Sequence, residues 1–272
     1  MKKLWMALFT LVATQTWAQN FEGTIKCSMK MEITDPKLKA EMAQAQQKMN
    51  DPKAQAEMKK LQEQMKDPQF KAMMENNPQM KAMMEKMTKG GGDMMSDMMP
   101  KGMVIKMKDG NTLTRMDGGM MAGDFLHLKD KSVHLDRENK TYWVLPSGSG
   151  QGGAADMAKP TITKTTETMK ILGYNCIKYV AVMNERGQTL TTNMWTTTEI
   201  KDMDPKAFAK QRMGKGQSMF YEGMEGVPLR IESITPQGNM VMEVTEIKKE
   251  SLSAADFIIP SDYKETQGMF GR

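Results

Sequence analysis

The sequence predicts a mainly β (α+β) protein: one curved antiparallel sheet or open half-barrel, with a methionine-rich helical insertion after the first strand. Three observations favour this fold. Residues 21–33 alternate apolar and polar side chains, as a half-buried strand does. Residues 35–103 hold nearly half of the chain's 34 methionines, many at helical spacing. Residues 104–266 consist mostly of short alternating segments between turn residues, which is typical of antiparallel sheets.

Residues 1–18 have the pattern of a secretory signal peptide. Lys2 and Lys3 precede an apolar run, and in Thr16-Trp17-Ala18 small residues stand at the usual cleavage positions. The run is shorter than the about 20 residues of a membrane-spanning helix. We therefore expect cleavage between Ala18 and Gln19 and a soluble periplasmic or secreted protein. Without the two lysines the formal net charge of +5 falls by two units, and this mildly basic balance does not indicate nucleic-acid binding.

The first strand of the β domain lies in residues 19–34. Its polar side chains fall on one face, and its apolar side chains fall on the other: Phe21, Ile25, Cys27, Met29, Met31 and Ile33.

The insertion, residues 35–103, repeats a helix-start signal. Asp35-Pro36, Asp51-Pro52 and Asp67-Pro68 recur at even spacing. Aspartate caps the free N–H groups of a first turn, and proline suits the first helical position because it has no N–H to leave unpaired. This predicts three or four short amphipathic helices, which need a partner surface because isolated helices of this length are marginal. The sequence leaves open whether they cover the sheet or project from it.

The remainder of the β domain, residues 104–266, begins with two predicted hairpins, and residues 267–272 are a flexible tail. Asp109-Gly110 is a two-residue turn signal between the first pair of strands. For the second hairpin we predict Asp130-Lys131 as the turn. That turn pairs Leu126 with Leu135, Leu128 with Val133, and His127 with His134. Further strands are predicted near 141–145, 161–168, 176–183, 189–196, 218–222, 229–234 and 240–248, and short helices at 204–213 and 253–257.

Several of these segments resemble a known family. The stretches ITKTTETMKILGYNCIKY, GVPLRIES and MEVTEIKKESLSAADFIIPSDYKE, with MKDGNTLTRMDGGM and HLKDKSVHLDRENKTYWVLP, are similar to secreted bacterial proteins of a domain-of-unknown-function family. That family is similar in strand order to the LolA/LolB lipoprotein-carrier superfamily. The resemblance implies a LolA-like half-barrel around a hydrophobic cavity, covers the first strand and the segment from residue 104 onward, and carries no catalytic residues.

The alternating strands and the surplus of methionine lead to a functional hypothesis. Methionine side chains are flexible and polarizable, so they make apolar surfaces that adapt to varied ligands. We predict a periplasmic or secreted binding protein for a lipid, a lipidated protein or a hydrophobic peptide. The predicted lining consists of Ile25, Met29 and Met31 on the first strand, Leu126, Leu128, Val133 and Leu135 on the second hairpin, and Met58, Met65, Met73, Met83 and Met84 on the insertion.

Two alternatives remain open at this point. Thioethers are soft ligands suited to Cu(I), so extracytoplasmic copper binding could use a methionine cluster and a cross-strand histidine pair. Those residues are Met94, Met95, Met98, Met99, His127 and His134, with Asp136 on the same face. The second alternative is a structural envelope protein whose helices are an interaction surface. Methionine as plain core packing accounts for the same pattern.

The two cysteines, Cys27 and Cys176, either form a disulfide in an oxidising compartment or stay as two buried thiols. The chain has no motif for a catalytic serine, a zinc peptidase, a phosphate-binding loop or a redox dithiol. We therefore expect no enzyme activity, no cofactor, no nucleic-acid partner and no membrane-spanning segment in the mature chain, and the sequence leaves the oligomeric state open.

Overall fold

One sheet dominates the part of the chain that the structure describes. The computed structural model describes residues 21–49, 51–53, 56, 59–60, 63, 67, 100–118, 123–137, 139–145, 159–185, 188–205 and 223–266. Its elements are β1 (Gly23–Ile33), α1 (Pro36–Met49), β2 (Pro100–Lys108), β3 (Asn111–Gly118), β4 (Gly123–His127), β5 (Ser132–Asp136), β6 (Thr141–Val144), β7 (Thr161–Ile171), β8 (Tyr174–Glu185), β9 (Gln188–Thr197), β10 (Val227–Ile234), β11 (Gly238–Lys249), a 3₁₀ helix (Ala254–Phe257) and β12 (Lys264–Glu265).

The described strands form a 12-stranded, open and curved sheet in the order β12-β6-β5-β4-β3-β2-β1-β11-β10-β9-β8-β7. β12 pairs with β6 in parallel, and the other neighbours are antiparallel. β1 comes first in the chain but lies near the middle of the sheet, between β2 and β11. The predicted mainly β fold with a curved open sheet is confirmed.

The first helix-start signal of the insertion begins a helix. The Asp35 carboxylate accepts hydrogen bonds from the backbone N–H of Lys37 at 2.7 Å and of Leu38 at 3.2 Å, and α1 follows. Most of the remaining insertion, and with it most of the predicted helices, lies outside the described residues. Pro100 begins β2, so residues 100–103, which we assigned to the insertion, belong to the sheet. No described helix is both long and apolar enough to cross a membrane.

The two hairpins differ in how well the sequence predicted their turns. Asp109 and Gly110 have φ values of 52° and 77°, so the predicted two-residue turn between β2 and β3 is confirmed. The predicted Asp130-Lys131 turn is wrong by one residue. The Leu128 N–H donates to the Lys131 carbonyl at 2.8 Å, which centres the turn on residues 129–130. Moving a turn by one residue shifts the pairing by two, so each side chain keeps its face and the alternation cannot distinguish the two registers.

Both faces of the sheet carry apolar side chains. Residues opposite each other on neighbouring strands share a face. One row crosses seven strands, from β6 to β11: Trp143, His134, Phe125, Thr114, Ile105, Ile25 and Ile247. Its central members belong to the larger core, together with Cys27, Met29, Met103, Met107 and Met116.

The opposite face of β3, β4 and β5 is packed beneath the C-terminal segment. We call it the covered face, defined by Leu113, Leu126, Val133 and Leu135. Phe257 of the 3₁₀ helix is buried against these residues, and Leu252, Ile259 and Tyr263 pack around it. Lys106 on β2 binds the Asp256 carboxylate at 2.8 Å and so ties the 3₁₀ helix to the sheet. The segment after β11 therefore completes a second core.

Candidate functional site: a methionine face

The first strand and the last long strand place four methionines side by side. Met29 on β1 lies opposite Met242 on β11, and Met31 lies opposite Met240. Because the side chains of a strand alternate between faces, all four point to the same side of the sheet as Ile25 and the larger core. We call this surface the methionine face, defined by Met29, Met31, Met240, Met242 and Ile231.

The methionine face changes from buried to exposed along β1. Met29 is 5% exposed and Met31 is 46% exposed, while Met240 and Met242 are half-buried. The register explains the change. β2 pairs with β1 only as far as Ser28, opposite Gly102, so among the described strands β11 alone pairs with residues 29–33 of β1. The face therefore joins the core at one end and meets solvent at the other.

The same face continues across β10, β9 and β8. The first row runs from Met29 through Met242, Ile231 and Met194 to Tyr179, and the second from Met31 through Met240, Ser233 and Thr192 to Ala181. Met194, Tyr179 and Ala181 are buried, whereas Ile231 and Ser233 are half-buried. From β1 to β8 neither row contains a charged side chain, so this part of the sheet presents a continuous uncharged surface, which ends at Lys164 on β7, opposite Tyr179.

Next to the methionine face, the charged side chains of β10 and of the facing part of β11 point to the other face. Arg230 binds Glu232 through its Nε at 2.7 Å and also pairs with Glu243. Burial opposes the charge of Arg230, but its hydrogen bonds to Glu232 and Glu243 raise the pKa of the guanidinium above its usual value. Lys178 binds Glu167 at 3.0 Å on this side. A network of arginine, lysine and glutamate side chains therefore lies on the face opposite the methionines.

The structure separates the predicted lining residues into two groups. Ile25, Met29 and Met31 lie on the methionine face, as described. Leu126, Val133 and Leu135 lie on the covered face, with exposed fractions of 0%, 0% and 3%, and Leu128 packs beside them. The prediction that both groups line one cavity is wrong, since β1 and the second hairpin turn these side chains to opposite sides of the sheet. The predicted lining residues of the insertion lie outside the described residues: Met58, Met65, Met73, Met83 and Met84.

The predicted pairing of His127 with His134 is also wrong. His127 lies opposite Ser132, with its Nδ1 2.9 Å from the hydroxyl oxygen, and His134 lies opposite Phe125. The His134 ring is buried, stacks on Trp143 with 3.8 Å between ring centroids and meets Phe125 edge-on. Among the described residues, no three His, Cys, Asp or Glu side chains converge on one point. The predicted copper cluster Met94, Met95, Met98 and Met99 lies outside the described residues.

Cys27 and Cys176 are two separate buried thiols in the structure and do not form a disulfide. Burial raises the pKa of the Cys27 thiol to about 12 and that of Cys176 to about 11. Both therefore stay protonated near neutral pH, and a protonated buried thiol is a poor nucleophile and a poor metal ligand.

Sequence reasoning missed part of this surface. Met240, Met242 and Ile231 were assigned to strands, but their face was not identified. A signal was available in the repeated Met-x-Met spacing at residues 29–31 and 240–242, because two strands with the same period-two pattern place methionines together when they pair. That the two strands are neighbours follows only from the topology.

The solved structures that match this chain do so at low similarity. The Mycobacterium tuberculosis lipoprotein LppX is 6% identical, with 85% of this chain and 89% of that chain covered and a TM-score of 0.36. LprF from Mycobacterium bovis is 10% identical, with 91% and 92% covered and a TM-score of 0.31. PNGF-II is 18% identical with a TM-score of 0.34, and 62% of this chain matches only 28% of the PNGF-II chain.

The sequence itself gives a family. No curated protein matches the chain. Residues 79–263 match the family described as Domain of unknown function (DUF4412), and this range includes ten of the twelve described strands, β2 to β11. The expected membership in a domain-of-unknown-function family is thereby confirmed: the chain belongs to the DUF4412 family.

Proposed function

We propose that this protein is a non-enzymatic binding protein of the cell envelope that holds a hydrophobic ligand on its methionine face. The ligand class is a lipid, or the acyl chain or apolar segment of a lipidated or hydrophobic peptide. The observation that carries the proposal is the partial exposure of Met31, Met240, Met242 and Ile231 on one uncharged surface that is continuous with the core.

Two physical properties of this surface favour an apolar ligand. Removing apolar area from water contributes roughly 25 cal/mol per Å², so covering half-exposed methionines is favourable. Methionine has three rotatable bonds and a polarizable sulfur, so a surface built from it adapts to chains of different shape. A ligand lying across β1, β11, β10 and β9 on this face would meet no charged side chain in the two rows that begin at Met29 and Met31.

The covered face supports the proposal because its packing stabilises the sheet from the other side. Its apolar residues are already buried beneath the C-terminal segment, so that side of the hairpins is core. A sheet stabilised on one side can leave part of its other side incompletely packed without losing its fold.

The same proposal includes the location and the division of the chain. Residues 1–18 act as the signal peptide, and residues 19–34 with the sheet from Pro100 to 266 form the binding domain. The intervening segment is a helical insertion of which α1 is the first element. The mature protein would work in the periplasm or outside the cell.

Binding of N-phenyl-1-naphthylamine, followed by its fluorescence, tests the proposal. We expect saturable binding that fatty acids displace. Met31→Lys should weaken it by about tenfold or more, because a ligand covering the ammonium group removes that group from water. Ile234→Lys is the matched control: Ile234 is 40% exposed, comparable with the 46% of Met31, but it lies on the opposite face of the same sheet.

An equal loss of probe affinity in both variants, or no loss of probe affinity in Met31→Lys, would contradict the assignment of the site to the methionine face. Mass spectrometry of the protein from its native compartment, under native and then denaturing conditions, identifies a natural ligand. A lipid mass lost on denaturation supports the proposal.

A further inference from the structure

The four methionines of β1 and β11 have a second property besides hydrophobicity. We propose that they form a binding site for a soft monovalent cation, Cu(I), in addition to the hydrophobic site. We call this group the methionine tetrad, defined by Met29, Met31, Met240 and Met242.

The register places the tetrad at the corners of a small rectangle. Directly opposite residues in an antiparallel pair have Cβ atoms about 4.5–5.5 Å apart. Residues two apart along a strand are separated by about 6.8 Å. The stretch of pairing from Cys27 to Ile33 is regular, since the only irregularity between β1 and β11 falls between Lys26 and Cys27. Four flexible side chains on one side of this rectangle can bring their thioethers toward its centre.

The ligand chemistry selects the cation. Thioether sulfur is a soft, neutral donor that suits Cu(I) better than hard cations such as Mg²⁺ or Ca²⁺. On β1, β11, β10 and β9 the two rows that contain the tetrad hold no carboxylate or imidazole to bind a hard ion and no ammonium or guanidinium to repel a cation; the ammonium group of Lys164 enters the first row only on β7. Lys30 and Glu32 alternate to the other face of β1.

The exposure of the tetrad gives the cation access from solvent. Met31 is 46% exposed and Met29 is 5% exposed, so the group is open at its solvent end and closed toward the core. The cation would enter beside Met31 and settle against the buried sulfur of Met29.

Leucine substitutions separate this site from the hydrophobic site, because leucine keeps the apolar volume and removes the sulfur. We would titrate the full mature chain with Cu(I) without oxygen, in competition with bicinchoninate, and compare it with Met31→Leu/Met240→Leu. The double variant should bind one equivalent of Cu(I) fewer and still bind N-phenyl-1-naphthylamine. Met42→Leu/Met169→Leu, which changes two half-buried methionines elsewhere, should keep the full stoichiometry.

A second measurement locates the ion within a chain that has 34 methionines. With ¹³C-methyl methionine labelling, Ag(I) as a redox-stable probe should shift the four tetrad methyl resonances together, each assigned by a single Met→Leu change. Unchanged stoichiometry in the double variant, or tetrad resonances that stay in place while others move, would overturn the proposal. Absence of saturable N-phenyl-1-naphthylamine binding in the wild type, whatever its Cu(I) stoichiometry, would instead contradict the proposed function, so the two failures are distinguishable.

Discussion

The covered face of β3, β4 and β5 and the methionine face of β1 and β11 are both apolar, and both lie on the same sheet. They differ in what lies over them. The C-terminal segment buries Leu126 and Val133 completely, whereas Met31 stays 46% exposed. The alternating pattern of a strand identifies a face that avoids water, but only the neighbouring segment decides whether that face becomes core or remains available to a ligand.

The residue types follow the same division. The covered face uses leucine and valine, whose branched side chains have few preferred rotamers and pack in one arrangement. The methionine face uses an unbranched side chain that can take many shapes. This difference is what is expected of a permanent core on one side and an adaptable surface on the other.

The largest effect on stability should come from removing the side chain of Phe257, which covers Leu126 and its neighbours. Phe257→Ala deletes the aromatic ring that fills the covered face, and we expect a loss of about 3–5 kcal/mol in the free energy of unfolding. Urea denaturation measures it. The variant should also bind more of the hydrophobic probe, since Leu126 and its neighbours become accessible. If the free energy of unfolding falls by less than about 1 kcal/mol and probe binding is unchanged, burial beneath the C-terminal segment is not what makes the covered face differ from the methionine face.

Leu126→Ala should have the second largest effect on the free energy of unfolding. Leu126 is fully buried, and truncating such a leucine costs about 2–5 kcal/mol through lost burial and the cavity that remains. The partly buried Leu128 is the matched control on the same strand end, and Leu128→Ala should cost clearly less. Probe affinity should not fall in either variant. A fall would place the ligand on the covered face, as the sequence analysis had predicted.

An intermediate effect is expected at the rim of the covered face. Asp124 is buried and binds Arg115 at 2.8 Å and also Arg137. Burial opposes its charge, but the two guanidinium groups hold the pKa of the carboxyl below its usual value. Asp124→Asn should cost roughly 1.5–3 kcal/mol near neutral pH, the range for hydrogen bonds to charged groups.

The pH dependence of this effect has a defined sign. Because the folded pKa of Asp124 is lowered, its contribution is complete above the unfolded pKa and is lost as the pH falls through the folded value. The stability gap between the wild type and Asp124→Asn should therefore narrow below about pH 4. A gap that is constant from pH 7 to pH 3 would mean that the charge of Asp124 does not contribute.

The smallest effect should come from the methionine face itself. Met31 is close to half exposed, so Met31→Ala should change the free energy of unfolding by less than about 1 kcal/mol, in contrast to Leu126→Ala. The same urea titration makes the comparison. Equal losses at the two positions would mean that Met31 is core and that the face is not available to a ligand.

Local signals predicted local features well. The alternation in residues 21–33 predicted β1, Asp109-Gly110 predicted the turn between β2 and β3, and Asp35-Pro36 predicted the start of α1. Each depends on a few consecutive residues and on backbone geometry that is decided within them. The turn of the second hairpin was misplaced because two registers keep every side chain on the same face, and the pattern is identical for both.

Most of the strands, the apolar face of β1 and of the second hairpin, and the abundance of methionine could be inferred from the sequence alone. That Met29 and Met31 lie beside Met242 and Met240, and that Leu126 is covered, follows only from the fold. Both outcomes depend on contacts between segments far apart in the chain. Residues near the C-terminus form β11, which pairs with β1, and the segment that follows covers the opposite face of the second hairpin, so the local pattern of one strand cannot identify its partner.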